Sequence, residues 1–119
     1  KVMIADDQAL IRESLQIILS AHQDIQVTSA VADGHEVLER IPQDRPDVVL
    51  MDIRMPEVNG YEATEAIRQM SATVPIIALT AFAYEEDRQK IMQSGFTDFL
   101  TKPISSRILL GKLESLKKI

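Results

Sequence analysis

Short apolar runs recur five times along the chain, and each is followed by a segment whose apolar residues return at helical spacing. Val2-Met3-Ile4-Ala5, Val48-Val49-Leu50-Met51 and Pro75-Ile76-Ile77-Ala78-Leu79 are unbroken, the pattern of strands buried on both faces. Residues 25–32 alternate and are rich in β-branched side chains, which predicts a strand nearer a sheet edge, and residues 96–100 form the fifth run. Between them, Ile11, Leu15, Ile18 and Leu19 mark a first helix ending near residues 21–24. Asp33-Gly34 turns into a second helix over Val37, Leu38 and Ile41, stopped by Pro42. Ala63, Ala66, Ile67 and Met70 give a third, closed by Ser71-Ala72-Thr73. In the fourth, Glu85, Glu86 and Asp87 crowd the first turn, Ile91 and Met92 face inward, and Gly95 is a left-handed cap. The fifth uses Leu109, Leu113 and Leu116, with Ser105 or Ser106 as its cap.

Strand and helix alternating five times, over short connections, require right-handed crossovers and a parallel sheet covered on both faces. The fold class is therefore α/β, a doubly wound sheet in the order 2-1-3-4-5. A chain of 119 residues with 45% hydrophobic content builds one core, and its four Gly and five Pro are scattered singly, so residues 1–119 read as one domain. The first residue is Lys1 and not Met, which reads as a trimmed piece.

The net charge of −5 is uneven: from Thr101 onward the tail carries +4, leaving −9 for residues 1–100. An acidic body suits a cation site better than a nucleic-acid surface, and the basic last helix reads as a solvated face with Lys117 and Lys118 at its carboxyl terminus. No direct nucleic-acid binding is expected. The absence of Cys excludes disulfides, thiolate metal sites and thiol nucleophiles, and no apolar run approaches the roughly 20 residues of a membrane span. A cytoplasmic, membrane-free setting is the expectation.

The residues that break the apolar pattern all follow a strand: Asp6 and Asp7 the first, Asp52 the third, Thr80 the fourth, Lys102 the fifth. In a parallel sheet those ends share one edge, so they converge on one pocket. Three carboxylates repel unless a cation joins them, and oxygen ligands without His or Cys select Mg²⁺, or Mn²⁺ as a substitute. Magnesium held this way awaits a phosphate. Lys102 supplies a fixed positive charge and Thr80 a hydroxyl donor for phosphoryl oxygens. With no Ser, Cys or His nearby to compete, Asp52 attacks phosphorus itself and holds the group as an acyl phosphate, a temporary charge that can reorganise loops.

Asp6-Asp7, Met51-Asp52-Ile53-Arg54-Met55-Pro56 with Gly60, Thr80-Ala81 and Lys102-Pro103 resemble, over the whole chain and in order, the receiver domain of two-component response regulators. The resemblance implies a flavodoxin-like (βα)5 fold and a phosphoryl group taken up by Asp52 from a sensor histidine kinase or phosphotransfer protein. It implies that Asp7 and Asp52 ligate Mg²⁺ with the backbone carbonyl of Arg54, that Asp6 holds a metal-bound water, and that Thr80 and Lys102 grip the phosphoryl oxygens. It further implies that the domain catalyses only its own phosphorylation and dephosphorylation, that Phe99 is a switch aromatic, and that Lys102-Pro103 is cis. Signalling would pass through the face formed by the fourth helix, fifth strand and fifth helix, through which a homodimer could also form. Residues 5–10 resemble receivers of DNA-binding transcription regulators, whereas residues 51–56 and 98–104 resemble those of hybrid kinases, so the output partner differs between the two.

Each residue also has a plainer reading. Asp7 and Asp52 could cap helices, Thr80 could be a turn hydroxyl, and Phe99 could be core. Arg54 and Phe82, two places past Asp52 and Thr80, gate water or are solvated loop positions. Tyr84 belongs to a partner surface or none, and His22 and His35 lie at the surface. A magnesium-dependent phosphatase would need a second acid where Arg54 stands. A phosphorylation-independent docking module of the same fold tends to lose acidic or Lys positions, and a flavodoxin-like cofactor binder needs a Ser/Thr-rich phosphate loop after the first strand.

Overall fold

The structure is a computed structural model of the 119-residue chain, and it describes residues 1–55, 57–81 and 85–117, without the side chains of Glu85, Glu86 and Lys117. Pro56 of the Met51–Pro56 motif, the gate at Phe82, the surface residue Tyr84, the first-turn carboxylates Glu85 and Glu86 and the Lys117-Lys118 pair lie outside what is described. Five strands, β1 (Val2–Ala5), β2 (Val27–Val31), β3 (Val48–Asp52), β4 (Ile76–Thr80) and β5 (Asp98–Thr101), alternate with five helices. These are α1 (Ala9–Ser20), α2 (Gly34–Asp44), α3 (Gly60–Met70), α4 (Glu85–Gln93) and α5 (Ser106–Lys117). All strands are parallel, in the order β2-β1-β3-β4-β5.

The period-2 alternation of each central strand divides the core in two. Val2, Ile4, Val48, Leu50, Ile77 and Leu79 pack with Leu15 and Leu19 of α1 and Leu109 and Leu113 of α5. Met3, Ala5, Val49, Met51, Ile76 and Ala78 pack with Val37 of α2, Ala63 and Ile67 of α3 and Ile91 of α4. Two helices therefore cover one face and three the other. Every residue of β1, β3 and β4 is buried, each large apolar side chain contributing ~1.5–3 kcal/mol, whereas β2 is mostly half-buried as an edge strand should be.

Several boundaries differ from expectation. Helix α2 runs through Pro42 to Asp44: the ring sits in the last turn, and the helix closes beyond it on the left-handed residue Arg45 (φ 46°), whose N–H reaches Ile41 O at 3.0 Å. Strand β2 starts at Val27 and not Ile25, and β5 starts at Asp98, with Phe96 buried in the approach to it. Met92 is 51% exposed, because a residue adjacent to the buried Ile91 is turned about 100° away from it on a helix. Met70, the last residue of α3, is also exposed, and the buried position on that helix that periodicity missed is Thr64. Gly95 has φ +101°, the left-handed conformation expected beyond α4, and Ser105 caps α5 by accepting the Ile108 N–H.

Candidate functional site

The sheet register assembles the site. Ala5 pairs with Met51, so Asp6 and Asp52 stand side by side one step on, and Asp52 itself pairs with Leu79, next to Thr80. Thr80 pairs with Thr101, and the Lys102 N–H donates to Thr80 O at 2.7 Å. Asp6, Asp7 and Asp52 each offer a carboxylate oxygen within 4.8 Å of the others. Asp6 and Asp52 are buried, Asp7 is exposed at the rim, and Thr80 is buried. Lys102 Nζ reaches between the carboxylates, 2.9 Å from Asp6 Oδ2 and 3.5 Å from Asp52 Oδ1. The peptide bond Lys102-Pro103 is cis.

The acids are not helix caps. Asp33 caps α2 by accepting the Glu36 N–H at 2.9 Å, and Asn59 caps α3 in a capping box with Glu62. The residue at the α1 cap position is Gln8, whose side chain makes no capping bond, while its N–H donates to Asp6 Oδ1 at 2.9 Å. Asp52 accepts only the Arg54 N–H, at 3.3 Å, among the hydrogen bonds described for it.

Burial pushes the Asp52 carboxyl up to about 6, and the neighbouring Asp6 charge adds to this; Lys102 and the Arg54 N–H pull the other way, and Asp7 raises it slightly. A set of oxygen donors without His or Cys, in which one buried carboxylate is hard to ionise beside another, fits a small hard divalent cation. Such a cation would relieve the repulsion that lifts the Asp52 pKa.

Asp7, Asp52, Thr80 and Lys102 line a cleft of about 920 Å³ that extends past Arg54 to Asn59, Tyr61, Asp87 and Lys90. The outer part was not read from the sequence, although Gln8 directly follows the acid pair and Asp87 and Lys90 are one turn apart on the helix after Thr80. Tyr61 packs edge-on against Phe96 and carries Lys90 Nζ 4.5 Å above its ring; burial and the Asp87 charge raise its hydroxyl pKa. Phe99 is half-buried on β5, with the Arg88 guanidinium of α4 over its ring at 5.4 Å. His22 is exposed, and His35 is exposed with its Nε2 3.7 Å from Glu57.

The model of the response regulator receiver domain matches residues 2–114. The chain belongs to the response regulator receiver domain family. Among curated receiver-containing relatives, a probable transcriptional regulator ycf27 of Guillardia theta is 40% identical over 115 residues, covering 97% of this chain and 44% of the relative. The sensor protein GacS of Pseudomonas syringae pv. syringae is 45% identical over 85 residues, 67% of this chain and 9% of the relative. The chain thus spans less than half the length of both, and receivers like it are found in transcription regulators and in sensor proteins. The solved receiver CheY4, a chemotaxis protein of Vibrio cholerae, superposes with a TM-score of 0.88 at 32% identity, covering 97% of this chain and 96% of that one. Among the described residues no helix of this receiver is long and apolar enough to cross a membrane.

Proposed function

We propose that residues 1–119 act as one phosphoacceptor domain in which Asp52 takes a phosphoryl group from the phosphohistidine of a sensor kinase or phosphotransfer protein. The observation that carries this reading is Lys102 Nζ lying between Asp6 and Asp52 at the edge of the three-acid cluster. Asp7, Asp52 and the Arg54 carbonyl would hold Mg²⁺, or Mn²⁺ in its place, with Asp6 acting through a water. The cation supplies charge neutralisation for the acids and the phosphoryl oxygens.

Asp52 is the nucleophile: its oxygen forms a bond to phosphorus as the bond from phosphorus to the donor imidazole nitrogen breaks, and that nitrogen then takes a proton. At neutral pH a carboxyl with a pKa of about 6 is mostly ionised and ready to attack. Lys102 and Thr80 stabilise the phosphoryl oxygens as charge spreads over them. In the reverse reaction water adds to phosphorus and the Asp52 oxygen leaves. The domain performs no other chemistry.

The phosphoryl group draws Thr80 toward it and lets Phe99 move inward, altering the face of α4, β5 and α5 that meets an output domain, a partner or a second copy. That output is a DNA-binding domain or a hybrid kinase, the setting is the cytoplasm, and Arg54 borders the path of attacking water.

Intact-mass measurement after incubation with a small acyl phosphate and Mg²⁺ tests this. Wild type should gain one phosphoryl group, and Asp52→Asn none. A wild type that gains nothing points instead to a docking module of the same fold, and gain retained by Asp52→Asn overturns the assignment of the nucleophile.

A further inference from the structure

The loop between β3 and α3 carries one wall of the cleft, and both its ends are fixed. The Gly60 N–H donates to Ile53 O at 2.9 Å, and a Cβ at residue 60 would lie 2.4 Å from Asp52 O and 2.8 Å from Ile53 Cα. The far end of the loop has no room to move toward the strand. At the near end the Arg54 N–H is held by Asp52 Oδ1.

A third contact comes from a different part of the chain. Gly34, the buried first residue of α2, donates its N–H to Val58 O at 3.1 Å. A Cβ at residue 34 would stand 2.3 Å from Val58 O, 2.6 Å from its Cγ1 and 2.8 Å from its Cβ. The nearest of these atoms is backbone, so any side chain at 34 must displace the loop itself. The corner it would push from is firm, since Asp33 pins the first turn of α2 through the Glu36 N–H.

We infer that Gly34 is a positioning residue for the cation site: its missing side chain and its N–H set where the Val58 segment sits, and thereby where the Arg54 carbonyl and the Asp52 carboxylate sit. Because Gly60 blocks movement at one end, displacement at Val58 is passed to residues 53–55. Gly34 touches none of the ligating groups. The inference rests on the magnesium reading above, and it concerns the β2–α2 corner that reading does not use.

The test is a Mg²⁺ titration of wild type, Gly34→Ala and Val58→Gly, followed by amide chemical shifts, with melting temperatures measured in parallel without Mg²⁺. Gly34→Ala should raise the half-saturating Mg²⁺ concentration by about ten-fold or more, the size of effect seen when outer supports of metal ligands are removed. Val58→Gly removes the side chain that abuts the corner and loosens the loop backbone, while the Gly34 N–H to Val58 O bond and every ligating group stay intact, and should raise it by several-fold. If Gly34→Ala does not fold, Val58→Gly decides. Lower melting temperatures with unchanged half-saturation would mean that the corner matters only for stability, and would overturn the inference. A wild type with no saturable response would remove the magnesium reading and this inference with it.

Discussion

Asp52 shows how one residue is set in opposition to its surroundings. A carboxylate with little access to water, beside a second buried acid, is destabilised in its charged form, and Lys102 offsets only part of this. The folded state therefore holds the Asp52 proton more tightly than the unfolded chain, whose reference value is 3.8. The sign follows from linkage. Stability gained from the protonated form is fully present below the unfolded value and is lost as pH rises through about 6. At pH 7.5 without Mg²⁺ the ionised residue should cost on the order of 2–3 kcal/mol. Asp52→Asn should accordingly melt several degrees higher than wild type at pH 7.5, with the gap closing near pH 4. Thermal melts at the two pH values measure this, and equal melting temperatures at both would contradict it.

At the scale of elements, each helix is placed by a narrow apolar stripe, and neighbouring apolar residues need not share it. Ile91 is fully buried under the sheet while Met92 is half exposed, although their hydrophobicity is similar. Ile91→Ala should cost ~2–5 kcal/mol in chemical denaturation, as buried truncations do, and Met92→Ala should stay within about 0.5 kcal/mol. Comparable losses at both positions would mean that α4 is rotated from its described face. The helix ends are equally specific. Arg68 near the end of α3 donates to Gly95 O at 2.8 Å and Val74 O at 2.7 Å, tying the approaches to β4 and β5 to one helix.

Across the whole molecule, the parallel sheet connects the edge that carries Asp6, Asp52 and Lys102 to the surface formed by α4, β5 and α5. Phe99 and Arg88 meet on that surface, and Lys112 of α5 pairs with Asp98 of β5 at 2.7 Å. Movement of Thr80 toward a phosphoryl group would disturb β4 and then β5, which are hydrogen-bonded neighbours. Amide exchange should therefore change in α4, β5 and α5 when a phosphoryl mimic and Mg²⁺ are added, and remain as it was in α2. An exchange map that changes only around Asp52 would exclude signalling through this surface.

The sequence by itself determined the order of strands and helices and the residues that interrupt each apolar run, because hydrophobic periodicity is a local property of the chain. It therefore marked Asp6, Asp7, Asp52, Thr80 and Lys102 without any knowledge of their distances. It misjudged Pro42, Met70 and Met92, whose fates depend on how far a helix extends and which stripe meets the sheet. Only the tertiary structure decided that Lys102 lies between two acids, that Asp87, Lys90 and Tyr61 extend the cleft, and that Gly34 abuts Val58. Such meetings join residues far apart in the chain, and no local pattern encodes the register and packing that bring them together.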